Sequence, residues 1–84
     1  MKTYSIVGKI VTTHRLNNSV NGNPRWHFLL HAYSGVYEFK TRTDAKVGYL
    51  FKPYVYNEAI VDYHITRNGN LICDDITYGT YKGV

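Results

Sequence analysis

Asn-Gly-Asn occurs twice in this chain, at Asn21-Gly22-Asn23 and at Asn68-Gly69-Asn70, each time between two strand-like runs. An Asn-Gly step favours positive φ and is a strong hairpin signal, so each copy marks a place where the chain reverses. One short helical pattern lies between the two copies. The resulting order of elements is β-β-β-α-β-β.

Lys2 to Arg15 reads as the first strand, with Tyr4, Ile6, Gly8 and Ile10 on one face and Thr3, Ser5, Lys9 and Thr13 on the other. Gly8 in mid-strand points to a bulge or a sharp bend. A long, bent first strand can pair on both sides, which a small closed barrel requires. Leu16 to Pro24 is loop, and Pro24 has no N–H to give a ladder, so the second strand starts after it. In Arg25 to Tyr33, Trp26, Phe28, Leu30 and Ala32 alternate as the inward face, opposite Arg25, His27, His31 and Tyr33. Ser34-Gly35 is a hairpin turn, and Val36 to Arg42 is the third strand, with Tyr37, Phe39 and Thr41 on one face.

Thr43 to Lys52 is the helical segment. Thr43 can cap it, Val47, Leu50 and Phe51 share one face, Gly48 weakens it and Pro53 ends it. Tyr54 to Arg67 reads as the fourth strand and Leu71 to Thr77 as the fifth. In the fifth, Ile72 and Ile76 fall on a face with Asp74, against Leu71 and Cys73, and a bulge near Asp74 would resolve the conflict. Residues 1–78 make a single small barrel domain and residues 79–84 a C-terminal tail. The fold expected is a five-stranded antiparallel barrel with one short helix. Its element order resembles that of an OB-fold, which binds single strands or oligosaccharides near two loops. An SH3-like barrel or another small β-roll would give nearly the same pattern.

The net charge of +4 is compatible with a phosphate-bearing or acidic partner. The Lys and Arg residues are spread along the sequence, so any basic patch must be assembled by folding. Cys73 is the only cysteine, which rules out an intrachain disulfide and makes a reducing cytoplasm the expected setting. No apolar signal core follows Lys2, and no run approaches the length of a membrane span.

Three groups of residues are candidates for binding. Asn17, Asn18, Asn21, Gly22, Asn23 and Arg25 belong to a loop longer than a hairpin needs, rich in amides and followed by Trp26. Arg67 and Asn68 begin the second turn, and Arg25 and Arg67 could flank one groove if the barrel sets the loops together at one end. His27, His31, Lys40 and Arg42 form an outward face on which bases can stack while cations track a phosphate backbone. Such residues are equally ordinary on a solvated sheet face.

Metal and catalytic patterns are weak. His14, His27, His31, His64 and Cys73 show no zinc-finger spacing, and His27 and His31 would stand roughly 13 Å apart along a strand. Neighbours Asp74 and Asp75 point to opposite strand faces, and Cys73 has no activating partner in the sequence. The chain therefore reads as a non-enzyme without metal or cofactor. The expected partner is single-stranded nucleic acid. The alternative is a host bacterial protein that the module inhibits or redirects, since tyrosine and arginine are also interface anchors. No membrane partner is expected, and the oligomeric state is open.

The stretch Leu16-Asn-Asn-Ser-Val-Asn-Gly-Asn-Pro-Arg-Trp26 resembles a segment of small uncharacterised bacteriophage and mobile-element proteins. In those, a basic residue and a leucine precede Ser-x-Asn-Gly-Asn-Pro-Arg, and a Thr-Asp-Ala segment follows later. Arg15-Leu16 and Thr43-Asp44-Ala45 stand at matching places. The resemblance implies a phage or mobile-element origin in a bacterial cytoplasm and brings no activity with it.

Overall fold

A computed structural model describes residues 2–43, 45–51 and 58–78. Its elements are β1 (Tyr4–Leu16), β2 (Arg25–Ala32), β3 (Gly35–Thr41), α1 (Ala45–Leu50), β4 (Glu58–Ile65) and β5 (Leu71–Tyr78). The strands close into a barrel in the order β1-β2-β3-β5-β4. β1 closes the ring by pairing with β2 from Gly8 to Leu16 and with β4 from Tyr4 to Lys9.

The barrel is mixed, not fully antiparallel as expected, because β3 and β5 run parallel over Phe39–Thr41 and Leu71–Cys73. The reason is one of parity. Direction cannot alternate around a closed ring with an odd number of strands, so one neighbouring pair must be parallel. β3 and β5 can be that pair because they are not consecutive, and parallel strands cannot be joined by a tight hairpin.

Two other expectations are corrected by packing. Gly8 is not at a bulge: it is paired with Ala32 on one side and Ala59 on the other. A Cβ there would stand 2.8 Å from Leu30 Cγ and 2.9 Å from the His31 carbonyl oxygen. Gly8 thus permits close approach where β1 passes from one partner to the other, and the bulge falls at Val11, where the register with β2 shifts between Ile10 and Thr12. In β5 the expected bulge does fall at Asp74, because Asp62 pairs with Asp75 while Tyr63 pairs with Cys73. The extra residue turns Ile76 inward with Cys73, so Ile76 does not share a face with Ile72 and Asp74.

The helix is shorter than the sequence pattern. Val47 and Phe51 are buried, whereas Leu50 is 43% exposed. Asp44, the residues at 52–57 that include the expected helix end and the first part of the fourth strand, and the tail at 79–84 lie outside the described residues. Tyr78 ends β5 and packs against the core.

Aromatic rings organise that core. Phe28 stacks on Phe39 at 5.4 Å and on Phe51 at 4.9 Å, Trp26 lies 5.5 Å from Phe51, and Tyr63 meets Phe39 edge-on at 5.1 Å. Val47 of α1 and Phe51, which follows the helix, therefore join the barrel core. Gly48, which a propensity argument treats as a weakness, is buried with its backbone against Pro24.

Cys73 is wholly buried in this core. Burial, and then the neighbouring Asp74 charge, push its thiol from 9.0 up to about 12. Folding thus favours the protonated thiol. Its stabilising effect is fully present below pH 9 and is lost as pH rises toward 12. Chemical denaturation from pH 8 to 10.5 should show wild type losing up to about 1.4 kcal/mol per pH unit above 9 relative to Cys73→Ala. Parallel pH curves for the two proteins would contradict this.

Candidate functional site

The long first loop is held together by its own polar groups. The Gly22 amide donates to the Ser19 carbonyl at 2.8 Å, and the Ser19 amide donates to the Asn23 carbonyl at 2.9 Å. Gly22 has φ +82°, the left-handed conformation that its Asn-Gly step favours. Arg15, on the strand leading in, donates to Asn18 Oδ1 at 2.7 Å and lies over the Trp26 ring at 5.6 Å.

The loop is also fastened to the end of β3. Asn23 donates from Nδ2 to the Thr43 carbonyl at 3.1 Å. Arg25 donates from Nε and from a terminal nitrogen to the Thr41 carbonyl at 3.1 and 3.0 Å. The Trp26 amide donates to Thr41 Oγ1 at 2.9 Å, and Thr41 is wholly buried. Two of the expected ligand-binding side chains, Asn23 and Arg25, thus have internal partners, while Asn21 and Gly22 are exposed.

Thr41 continues the β2–β3 ladder with its side chain. Thr41→Val would leave the Trp26 amide unpaired, and the cost should be about 1–3 kcal/mol. Thr41→Ser keeps the acceptor and should lose much less. Urea midpoints measure both, and a Val variant as stable as wild type would sink this account.

The second turn is tight. Thr66 donates its amide to the Asn70 carbonyl at 2.8 Å, the Gly69 amide donates to the Thr66 carbonyl at 2.9 Å, and Arg67 and Asn68 are exposed at its tip. The two Asn-Gly-Asn segments meet β3 at different levels. The first is bonded to Thr41 and Thr43, whereas the second leads into Leu71 opposite Phe39 and faces Val36, Tyr37 and Glu38. Thr41 and Tyr37 are four residues apart, about 13 Å along a strand. The groove beside the second turn has a volume of about 300 Å³ and is lined by neither Arg25 nor Arg67.

Between these levels lies the outer face of β1, β2 and β3. Strand pairing sets His14, His27 and Lys40 in one row, and Lys9, His31 and Val36 in another. The His14 and His27 rings are 5.8 Å apart, and His27 Nε2 is 2.6 Å from Glu38 Oε2. Arg42 stands at the edge of this face, 3.5 Å from Asp74, which also meets His64 Nδ1 at 2.8 Å.

Folding segregates charge on this frame. The chain up to Thr43 carries six Lys or Arg residues and one carboxylate, Glu38, and the other five carboxylates all come later. The β1–β3 side is therefore cationic, while Asp62, Asp74 and Asp75 lie on β4 and β5, with Lys46 3.6 Å from Asp75. His14 and Glu38 are the members of this surface that single-strand reading passed over. The one available signal was the sparsity of carboxylates before residue 44.

The residues with reactive chemistry are engaged elsewhere. Asp74 faces His64 and Arg42, Asp75 Oδ1 accepts from the Ile76 amide at 2.9 Å, and the Cys73 thiol points into the core. Among the described residues, no group of three or more His, Cys, Asp or Glu is placed to hold a metal ion. No helix among them is long and apolar enough to cross a membrane. Comparison with family models, with curated proteins and with solved structures finds no match to this chain.

Proposed function

We propose that this protein is a non-enzymatic binding module that takes single-stranded nucleic acid on the outer face of β1, β2 and β3. The observation that carries the reading is the segregation of charge. Lys9, Arg25 and Lys40 stand on three adjacent strands, with Arg42 just past the end of β3 and His14, His27 and His31 among them; Glu38 is the sole carboxylate on those strands, and Asp74 of β5 meets Arg42 at the edge of the face. Cations at strand spacing suit a phosphate backbone, and imidazole rings offer faces for bases. The closed order β1-β2-β3-β5-β4, with the helix between β3 and β4, supports an OB-like reading of the barrel. In such a barrel the β2–β3 face, with the β1–β2 and β4–β5 loops, is the binding surface. The resemblance of the first loop supports a phage or mobile-element origin and a bacterial cytoplasm as the place of action.

Engagement of three to four cations gives a salt slope of about −2 to −3 for a single strand. Oligonucleotide affinity, read by fluorescence anisotropy, should therefore fall roughly 20- to 50-fold between 50 and 200 mM salt. Absence of any salt-sensitive binding would defeat the reading. A second reading is a module that inhibits or redirects a host bacterial protein. Two fully or largely exposed aromatics favour it, Tyr33 at the β2–β3 turn (107% exposed) and Tyr49 on α1 (69%). A pull-down from bacterial lysate with and without nuclease separates the two, since a protein partner survives the nuclease.

A further inference from the structure

We propose that the groove between the first half of β3 and the β4–β5 turn is a base-docking subsite, read by an open strand edge and selective for bases with an exocyclic amino group. The proposal rests on the nucleic-acid reading and adds a specificity to it.

β5 pairs with β3 only from Phe39 to Thr41. Among the described residues, Gly35 to Glu38 therefore has β2 on one side and no strand on the other. Alternate residues of a strand direct their N–H and C=O to opposite edges. The Arg42 amide donates to the Cys73 carbonyl at 3.0 Å, so the even-numbered positions of β3 face the β5 side. Val36 thus turns both of its backbone groups, and Glu38 its amide, to the groove and not to β2, while the Glu38 carbonyl lies where the pairing with Leu71 begins.

The Val36 carbonyl and the Glu38 amide lie next to each other on that edge, an acceptor beside a donor. Adenine and cytosine carry the complement, an amino group beside a ring nitrogen, on their Watson–Crick edges. Thymine and uracil can also supply a donor and an acceptor, but they have no amino group to give a second proton to the Glu38 carboxylate. A carboxylate accepting from cytosine N4 is a recurrent pairing.

The rest of the groove fits a base with its phosphate. Val36, Tyr37 and Leu71 supply apolar surface, Asn70 an amide and Lys40 a cation. Lys40 also belongs to the row with His27 and His14, so the groove is continuous with the cationic face. Glu38 keeps phosphate away from the base end, and His27 at 2.6 Å holds that carboxylate in place. A volume of about 300 Å³ suits a nucleoside-sized group.

The test is anisotropy with oligo-dC and oligo-dT of equal length at low salt, using the full chain. Oligo-dC should bind at least about fivefold tighter than oligo-dT. Glu38→Ala, an exposed position, should erase that difference without weakening oligo-dT. In the oligo-dC complex the Glu38 amide should exchange with solvent more slowly than in the free protein. Salt-sensitive binding that is equal for the two oligomers, or tighter for oligo-dT, overturns the subsite and leaves the functional reading standing. Binding of neither oligomer overturns both.

Discussion

Gly48→Ala will destabilise this protein by about 3 kcal/mol, although alanine is the better helix former. Propensity alone favours the substitution by about 1 kcal/mol. Packing reverses the sign. A Cβ at Gly48 would overlap the Pro24 carbonyl oxygen and stand 3.1 Å from the Pro24 carbonyl carbon. The obstacle is backbone, at the end of a loop bonded to Thr41 and Thr43, so it cannot yield as a flexible side chain would. Either α1 must withdraw Val47 and Phe51 from the core or the loop must break its bonds to β3. Overpacking of this kind costs about 1–3 kcal/mol and sometimes more. In a domain of this size a loss of 3 kcal/mol lowers Tm by roughly 12–24 °C. Gly22→Ala is the control. Nothing lies within 4 Å of its added Cβ, so only the strain at φ +82° remains. It should cost about 1 kcal/mol. Thermal unfolding of both variants decides the matter, and a Gly48→Ala protein at least as stable as wild type would show that α1 does not press on the loop.

The second large effect concerns binding. Lys40→Glu should weaken oligonucleotide binding at least about tenfold at low salt, and make the salt slope shallower by about 1.4. Lys40 lies in the row with His27 and faces the groove beside the second turn, so reversal places a second carboxylate next to Glu38. Lys46→Glu changes the net charge equally. Its position, 3.6 Å from Asp75, is on the side where the carboxylates lie, and an exposed pair there contributes little to stability. It should leave binding within about threefold of wild type, because beyond a Debye length exposed charges are largely screened. Equal losses in the two variants would mean that net charge, not a face, attracts the ligand.

Much of the architecture was legible in the alternation of residues. Trp26, Phe28, Leu30 and Ala32, with Tyr37, Phe39 and Thr41, point inward as read, because one face of each strand must leave water. The Asp74 bulge was legible as a conflict of period. The parallel β3–β5 pair was not, since strand direction around a ring is a property of closure and not of any segment. The place of the β1 bulge and the packing role of Gly8 and Gly48 were not legible for a related reason: what each glycine permits is approach by a segment distant in sequence, Leu30 and His31 in one case and Pro24 in the other.

The candidate site divides in the same way. Arg25 and Asn23 read as free donors because sequence shows a donor but not its acceptor, and in the fold they donate to the Thr41 and Thr43 carbonyls. His14 alone reads only as a candidate metal ligand and gains its place on this face beside His27 and Lys40. By itself the sequence determined where strands begin and end, which faces are buried and that two Asn-Gly steps reverse the chain, because these follow from local torsion and the period of apolar residues. Only the tertiary structure decided that scattered cations share one surface, that the two turns meet β3 at separate levels and that, among the described residues, half of β3 has no strand on its β5 side. Those follow from register and closure, which bring together residues that no local pattern relates.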